Sequence, residues 1–429
     1  MGLPPLDDRF PRYTQYDPAV PVWCITPGRG GAIHRFFDTS PISPSGRYVA
    51  VFRLPFEDRL PTPGEKGEVC VIDLTSGEDR VVAQTAGWEP QMGANIGWGG
   101  SDESLLFNDV DEQTWRPFAL KLNPLTGKGE RMDGTLYQAS HDGRWLISAN
   151  MTTMRRTQRG YGVVVPDEHV RTNIGLAEDD GFFITDTQTG KCRLLISLKD
   201  VVARANAPAE LLDAGRFEVY GFHSKWNEQD DRLMVTLRWF PQAGGQRFAV
   251  HDQHKGEVRY AVYTLRPDGS DVHLAIGPEQ WEKGGHHTTF TPDGRRLSAN
   301  LNIDRDGLYF VQCDLDGKNL RRIHPTIPGS GHPTVHPDGR HILTDTYTQE
   351  KTAYGDGTIP LRWIDYVAGT EQRLVRINTA QPCRESPMRV DPHPAWDRTW
   401  QYVAFNGFVE GTRRVYIADM RGVTGPRRA

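Results

Sequence analysis

A short histidine-containing segment recurs along the C-terminal half of the sequence, and this recurrence constrains the fold more than any other feature. The segment occupies residues 285–294 in its first copy, 331–339 in its second and, in degenerate form, 392–400 in its third. In each copy a histidine stands seven residues before the end of a tight turn. We interpret these histidines as one structural position in successive repeats. The candidates for this position are His223, His287, His332 and His393.

Two kinds of tight turn alternate along the whole chain, and each kind occurs seven times. One kind follows a strand that ends in Asp or Asn and closes on Gly, as in residues 186–190, and the other resembles Pro-Asp-Gly at 292–294. Asp and Asn side chains cap such turns, and Gly adopts the positive φ that they require. Two hairpin turns for each repeat imply four strands, so the sequence predicts an all-β fold, a seven-bladed β-propeller formed by one domain over residues 1–429.

The two ends of the sequence predict how the propeller ring closes. Only residues 423–429 follow the final turn, which is too short for a good outer strand. Residues 20–26, Val-Pro-Val-Trp-Cys-Ile-Thr, precede the first blade and have strand-forming character. We therefore expect an N-terminal strand to complete the last blade and to remove its open edge.

Strand direction assigns the candidate residues to the two faces of the propeller disc. The recurring histidines lie near the start of the innermost strands, and Arg238 lies at the end of a second strand, so both belong to one face. Two long loops, at 150–181 and 239–258, follow second strands and share that face. Long loops on a rigid scaffold often carry binding sites. His141 and His336, in the turns between first and second strands, should lie on the opposite face.

The repeated histidine position predicts a metal or catalytic site near the propeller axis. Innermost strands converge there, and neutral imidazoles are good ligands for zinc, manganese and related ions. Asp391, two residues before His393, can add an oxygen ligand. The competing interpretation is that each histidine only hydrogen-bonds the neighbouring strand.

Arginines and one tyrosine are further candidates on the same face. Arg238 and the cluster Arg155, Arg156 and Arg159 can neutralise a carboxylate, because guanidinium binds carboxylate through two hydrogen bonds. A solvated loop surface is the alternative for Arg155 and Arg156. Tyr161, between two glycines, can reach inward as an acid or base, or it can simply anchor its loop.

Composition excludes several classes of function. A formal charge of −5 gives no reason to expect a nucleic-acid partner, and no apolar run is long enough for a membrane span. The first residues lack the features of a signal peptide, and five scattered cysteines fit free thiols in a reducing compartment, so we expect a cytoplasmic protein unless a signal was removed. No nucleophile elbow, phosphate-binding loop or HExxH motif is present. The sequence does not determine an oligomeric state.

Specific segments resemble propeller polysaccharide lyases. Residues 331–339, together with Pro392-His-Pro-Ala-Trp396 and Val403-Ala-Phe405, resemble the closing blades of oligogalacturonate lyases. Residues 34–47 and Gln158-Arg-Gly-Tyr-Gly162 are more similar to the lyases that cleave ulvan or rhamnose–glucuronate linkages. The resemblance spans most of the chain in blade order. It implies a seven-bladed propeller that cleaves a uronate-containing glycan by β-elimination.

The resemblance also implies roles for individual residues. In oligogalacturonate lyases three histidines and a glutamine hold a divalent metal; His332 and His393 match two of the histidines, whereas the other two positions read Asp391 and Met388 here. The metal implied is divalent, with Mn, Zn and Ca as the candidates. His287 matches a proposed catalytic histidine of that family. Further candidates from the two resemblances are Tyr220 and Arg238 for a catalytic Tyr–Arg pair, and His34, Arg35 and Arg159 for substrate binding.

The chemistry of β-elimination agrees with these candidates. The C5 proton of a uronate is poorly acidic, so a metal or an arginine must neutralise the carboxylate while a histidine or tyrosine takes the proton. We expect a carbon–oxygen lyase that acts on an anionic oligosaccharide or polysaccharide, with His223, His287, Tyr220 or Tyr161 as acid or base. The alternative is a non-catalytic propeller that binds a ligand or a protein partner.

Overall fold

The computed structural model describes residues 2–28, 30–205, 211, 215–242, 257–380 and 387–425. Within these ranges the strands form seven four-stranded antiparallel sheets, each of which is one blade. The predicted seven-bladed β-propeller is therefore confirmed. The few helices are short: α1 Met154–Thr157, α2 Leu198–Arg204, α3 Pro278–Trp281 and α4 Arg421–Thr424, with a 3₁₀ turn at Asp167–His169.

The strands of the first four blades follow one another along the chain, from the innermost strand to the outermost. Blade 1 contains β2 Ala32–Ile33, β3 Tyr48–Arg53, β4 Gly67–Asp73 and β5 Asp79–Thr85. Blade 2 contains β6 Gly97–Trp98, β7 Leu105–Asp111, β8 Arg116–Leu122 and β9 Gly129–Arg131. Blade 3 contains β10 Gln138–Ala139, β11 Trp145–Ala149, β12 Gly181–Asp186 and β13 Cys192–Ser197. Blade 4 contains β14 Phe217–Trp226, β15 Leu233–Pro241, β16 Arg259–Leu265 and β17 His273–Ile276.

The last three blades follow the same order, except that blade 7 takes one strand from the N-terminal region. Blade 5 contains β18 Gly285–Phe290, β19 Arg296–Leu301, β20 Tyr309–Asp314 and β21 Arg321–Arg322. Blade 6 contains β22 Thr334–Val335, β23 His341–Thr344, β24 Thr358–Asp365 and β25 Thr370–Asn378. Blade 7 contains β26 Ala395–Trp396, β27 Tyr402–Val409, β28 Thr412–Asp419 and, as its outermost strand, β1 Val22–Cys24.

The apolar core lies between adjacent blades. Middle strands such as β3 and β24 are buried along nearly their whole length, because both of their faces pack against a neighbouring sheet. One cluster joins blades 3 and 4 through Phe182 and Trp239, both fully buried. A second cluster joins blades 6 and 7. Each blade is thus stabilised by its two neighbours in the ring.

Strand β1 closes the ring as the sequence predicted. Val22 pairs with Ala418 and Cys24 with Tyr416, so residues from the N-terminal region lie antiparallel to β28. Val22 is 1% exposed and joins the cluster between blades 6 and 7. Without β1 the edge of β28 would present unpaired backbone groups to solvent.

We predict that Val22→Asp strongly destabilises the protein. The substitution places a carboxylate among apolar side chains, which costs on the order of 3 kcal/mol or more. Val81→Asp is the matched control, because Val81 is 47% exposed on the outer strand of blade 1. Denaturant unfolding should show a large loss for Val22→Asp and almost none for Val81→Asp. Equal losses would contradict the ring-closing role of β1.

The inner strand of blade 1 is interrupted, and the interruption fills the central channel. Strand β2 ends at Ile33, and pairing with β3 resumes only at the Ile42–Val49 bridge. Between them Phe36 and Phe37 are 0% and 2% exposed. The Phe36 ring centroid lies within 5.9 Å of four histidine rings, those of His223, His287, His332 and His393. The phenyl group thus occupies the centre of the predicted histidine ring.

Two further observations concern the described part of the chain. Cys24, Cys70, Cys192 and Cys313 are free thiols. We found no helix with the length and apolar character needed to cross a membrane.

Candidate active site and metal centre

A cavity of about 220 Å³ opens on the face where the inner strands begin. It is lined by residues from blades 3 to 6 and from the segment that leads into blade 7. Four of the predicted site residues lie in its wall: Tyr161, His223, Arg238 and His287. Further wall residues are Gln158, Tyr260, His286, Tyr347 and Arg389.

Irregular backbone at the start of the inner strands directs the histidines towards the axis. The pairing register shifts between Gly221 and Ser224 in blade 4, and between His286 and Thr289 in blade 5. His287 and His393 adopt positive φ values of 56° and 49°. Such bulges and left-handed residues redirect side chains and cluster at functional sites.

His332, Asp391 and His393 form a group that is suited to hold a metal ion. One potential ligand atom from each residue lies within 4.8 Å of the others, and all three side chains are buried. The Nδ1–H of His332 donates to Asp345, 2.9 Å from either carboxylate oxygen, and this leaves the Nε2 lone pair free for another partner. Metal-ligating histidines commonly have such a carboxylate behind them. His332 Nε2 and both ring nitrogens of His393 have no hydrogen-bond partner within the described protein.

Arg389 connects this group to the cavity. Its Nη2 lies 2.8 Å from Asp391 Oδ2, and its side chain also lines the cavity. Asp391 therefore faces a guanidinium on one side and the two histidines on the other, with its Oδ2 3.9 Å from His393 Nε2. The metal group borders the cavity wall.

We predict that Asp345→Asn weakens metal binding about 10- to 100-fold, because the substitution removes the carboxylate that orients His332 and raises its basicity. The measurement is calorimetric titration of the metal-free protein with Mn²⁺ and Zn²⁺. Asp338→Asn is the control, since Asp338 hydrogen-bonds His341, far from the group, on the other side of blade 6. Unchanged affinity in Asp345→Asn would show that the Asp345 carboxylate does not support a metal ligand.

Hydrogen bonds fix the orientation of His287. Its Nδ1–H donates to the Gly331 carbonyl at 2.7 Å, so Nε2 carries the free lone pair. The Tyr347 hydroxyl lies 3.4 Å from that Nε2. Burial and the neighbouring His332 hold the pKa of His287 well below its usual range, so the imidazole is neutral. A neutral, oriented imidazole at a cavity wall can accept a proton.

Arg238 is held between aromatic rings. Its Cζ lies 3.4 Å from the ring centroid of Phe222 and 4.6 Å from that of Tyr260, and its Nη1 donates to Gln158 Oε1 at 2.7 Å. The residue is 7% exposed. The guanidinium is therefore a rigid, desolvated positive group in the cavity wall rather than a group at a solvated rim.

Tyr161 reaches inward because of the glycines on either side of it. Gly160 and Gly162 have φ values of 88° and 83°, and a Cβ at Gly162 would lie 2.4 Å from the Met151 carbonyl oxygen. Tyr161 is 4% exposed, and burial raises its pKa to about 12. Its hydroxyl is protonated at neutral pH and can donate a proton in the cavity.

Glu89 supports this loop, and its ionisation lowers the stability of the folded protein. Its Oε2 accepts a hydrogen bond from Gly162 N, and the Asn95 side chain also interacts with the carboxyl group. Burial raises the pKa of Glu89 well above its usual range, although Arg35 acts in the opposite direction. The pKa of Glu89 is therefore higher in the folded protein than in the unfolded chain. Protonation of Glu89 contributes its full stabilisation of the fold below about pH 4, and this contribution is lost as the pH rises through the folded-state pKa.

We therefore predict that Glu89→Gln stabilises the protein increasingly as the pH rises from 5 to about 8, because glutamine keeps the hydrogen bond and cannot ionise. Urea unfolding across this range measures the difference. The control is Glu130→Gln on the exposed strand β9, which should leave the profile unchanged. Parallel profiles for wild type and Glu89→Gln would show that Glu89 does not titrate in this way.

Tyr220 lies away from the cavity. Its hydroxyl donates to Glu218 Oε2 at 2.5 Å, and Arg156 pairs with the same oxygen at 2.6 Å. Tyr220 is directly opposite Arg238 in the strand register, but its side chain does not line the cavity. Arg156 is thus a buried ion-pair partner, and Arg155 donates to the Val165 carbonyl and to Asp167.

The predicted substrate-binding residues are dispersed. His34 is 1% exposed, behind the segment that carries His393, and burial lowers its pKa to about 3. Arg35 contacts Asp38, Thr39 and Asn95 towards the opposite end of the channel. Arg159 is exposed beside the Tyr161 loop. Most of the predicted loop at 239–258 lies outside the described residues.

Sequence reasoning missed Arg389, Tyr347, Glu89 and the role of His286. His286 accepts a hydrogen bond from Asn300 at 3.0 Å and packs edge-to-face on Tyr347. Arg389, Tyr347 and Glu89 lie outside the repeated turn pattern, whereas His286 lies in the first recurring segment, next to His287. The one available signal was position: Arg389 immediately follows Met388, where the resemblance to oligogalacturonate lyases already expected a metal ligand.

Comparisons by sequence match part of the chain. No family model matches the chain. An uncharacterized protein, YwcC, of Lactococcus lactis subsp. lactis (strain IL1403) is 37% identical over 98 residues, which cover 20% of this chain and 28% of that relative. The chain therefore matches under a third of that protein's length.

Two solved structures share the propeller over 96% of both chains. One is an oligogalacturonate lyase in complex with manganese, and the other is an oligogalacturonate lyase from Vibrio parahaemolyticus; each has a TM-score of 0.61 and 14% identity to this chain. Identity at this level shows a common fold. This chain is a propeller similar in structure to those lyases.

Proposed function

We propose that this protein is a lyase that cleaves a uronate-containing oligosaccharide or polysaccharide by β-elimination. The observation that carries the proposal is the convergence of two guanidinium groups, three tyrosines and an oriented neutral histidine on one cavity beside a candidate metal group. The structural similarity to oligogalacturonate lyases supports the same reaction class.

The arginines suit a carboxylate-bearing substrate. Arg238 and Arg389 both line the cavity, and the Asp391 carboxylate pairs with only the second of them. A substrate carboxylate beside Arg238 would meet a charge that is already desolvated and fixed, so little reorganisation accompanies binding. Neutralising that carboxylate lowers the cost of charge development when the C5 proton is removed.

The donor set of His332, Asp391 and His393 fits a divalent metal. The nitrogens without protein partners and the carboxylate behind His332 are the expected features of imidazole ligands in their deprotonated form. When bound there, an ion such as Mn²⁺ or Zn²⁺ would supply Lewis-acid polarisation of the substrate carboxylate. The neighbouring lyase structure contains manganese, which makes Mn²⁺ the first ion to test.

Proton transfer is assigned to residues of this chain. His287 lines the cavity, and its Nε2, which has the Tyr347 hydroxyl 3.4 Å away, would take the C5 proton while its Nδ1–H stays bound to the Gly331 carbonyl. The electron pair forms the C4–C5 double bond and expels the 4-linked oxygen. Tyr161, protonated at neutral pH, would donate to that leaving oxygen. His223 also lines the cavity and is the second candidate base.

The test is ultraviolet absorbance of the unsaturated uronate product. The substrates are oligogalacturonate, ulvan-type and rhamnose–glucuronate oligosaccharides, with a neutral oligosaccharide as control. We expect absorbance to rise with one of the acidic substrates, in a reaction that needs added divalent metal after chelation. No product from the whole panel, combined with measurable binding, would favour the alternative of a non-catalytic binding propeller.

A further inference from the structure

A second cavity, of about 400 Å³, opens at the other end of the channel. It lies among the turns between the first and second strands, with Asn227, Pro292 and Asp397 in its wall. Phe37 forms part of its inner end and also packs against His287 and His332. The phenylalanine pair thus separates this distal cavity from the candidate active site.

The inner end of the distal cavity carries an excess of positive charge. Asp38 pairs with Lys225 at 2.6 Å and with Arg35 at 3.0 Å, and all three side chains are at most 5% exposed. Two cations therefore share one carboxylate in a desolvated region. A buried charge that is incompletely paired is costly, so this arrangement favours the binding of an anion beside the two cations.

Other carboxyl groups near the distal cavity do not cancel this excess. Asp397 accepts hydrogen bonds from its own turn, including Tyr402 N at 2.9 Å, and lies beside Arg398 in the wall. Glu228 is exposed at the rim. Glu89 is the remaining carboxyl that interacts with Arg35, and burial favours its neutral form by raising its pKa.

Three hydrogen-bond donors of the distal wall have no partner within the described protein. They are Arg35 Nη2, Trp226 Nε1 and Trp396 Nε1. Their residues are only 3–6% exposed. An unpaired buried donor costs about 1–3 kcal/mol, and all three groups require an acceptor. Acceptors of the required number and charge are the oxygens of a carboxylate and its neighbouring hydroxyl groups.

We propose that the distal cavity is a second binding site, for a small hydroxylated carboxylate of the sugar-acid type. Arg35 would receive the carboxylate, and the indole N–H groups of Trp226 and Trp396 would donate to hydroxyl oxygens. Trp98 and Trp400 complete an aromatic wall that suits the C–H face of a sugar ring. The volume lies within the range of small-ligand sites. None of these residues belongs to the proposed proton-transfer machinery.

Calorimetric titration with D-glucuronate, and with D-glucose as the neutral probe, tests the proposal. We expect glucuronate to bind the wild-type protein and glucose to bind at least about 10-fold more weakly. Trp396→Phe keeps the aromatic ring but removes one donor, so glucuronate affinity should fall about 10-fold. Ala139→Phe, which adds bulk to the cavity wall without removing a donor, should weaken binding at least as much. Arg321→Lys, on the exposed outer strand of blade 5, should leave this affinity unchanged, whereas Arg238→Lys reports on any glucuronate that binds in the other cavity.

The outcomes separate this site from the candidate active site. Absence of glucuronate binding up to about 10 mM would overturn the proposal. Loss of binding in Arg238→Lys, with retention in both Trp396→Phe and Ala139→Phe, would overturn it too, because it would place the ligand in the other cavity. If the melting temperature shows that Trp396→Phe or Ala139→Phe is unfolded, the glucuronate affinity of the other variant tests the proposal. A protein without lyase activity that still binds glucuronate through Trp396 would support the distal site alone.

Discussion

Replacing Arg238 by lysine is expected to lower turnover of the uronate substrate by about 100-fold or more, equivalent to about 3 kcal/mol of transition-state stabilisation. Lysine keeps the positive charge, but its ammonium cannot bind a carboxylate through two parallel hydrogen bonds. It also cannot reproduce the planar stacking between Phe222 and Tyr260 or the hydrogen bond to Gln158. Turnover and melting temperature, measured together, distinguish a catalytic loss from unfolding.

The control for this experiment is Arg321→Lys, an exposed arginine on the outermost strand of blade 5. It makes the same chemical change far from the cavity and should retain normal turnover. The buried position of Arg238 means that its lysine variant will lose some stability as well, unlike a residue at a solvated rim. Near-normal turnover in Arg238→Lys would contradict the assignment of the active site to the cavity that Arg238 lines.

We expect His332→Ala to abolish specific metal binding and to lower turnover at least about 1,000-fold, or roughly 4 kcal/mol. The substitution removes a nitrogen that has no hydrogen-bond partner within the described protein, and it leaves Asp345 without its imidazole partner. Elemental analysis and calorimetric titration with Mn²⁺ report the metal directly, so this prediction does not depend on knowing the substrate.

His273→Ala is the matched control, since His273 is half-buried on the outer strand of blade 4 and pairs with Asp271. It should bind metal like the wild type. Full activity in a His332→Ala protein that contains no metal would remove the ion from the mechanism, and normal metal binding would place the ion elsewhere.

The repeated turns allowed the fold to be predicted because each turn carries its own local signal. Asp or Asn caps and glycines with positive φ recur at most of the hairpins, for example at Gly190 and Gly294, and Asp230 and Trp400 take the positive φ in two turns that lack such a glycine. Counting them predicted the number of strands and the role of β1, and strand direction placed His287 and Arg238 on the same face. These inferences needed no knowledge of how side chains pack.

The composition of the site depended on packing that a repeat pattern does not encode. Arg389 and Tyr347 lie in segments of different blades, and only the closed ring brings them to one cavity. Tyr220 and Arg238 are cross-strand partners, yet Glu218 engages the tyrosine hydroxyl. Arg35 follows a strand interruption that directs it to the distal cavity. The catalytic and ligand roles assigned to these residues remain predictions for the experiments above.

The pairing of β1 with β28 has a consequence for how the protein folds during synthesis. Blade 7 joins segments from opposite ends of the described chain, so its sheet cannot be completed until nearly all of that chain has left the ribosome. At typical elongation rates this delay is on the order of a minute or less, during which the edge of the growing ring stays unpaired. Contacts of such long sequence separation form slowly. The pairing of β1 with β28 should therefore be a late kinetic step in folding. Incomplete chains should be the species most prone to aggregation.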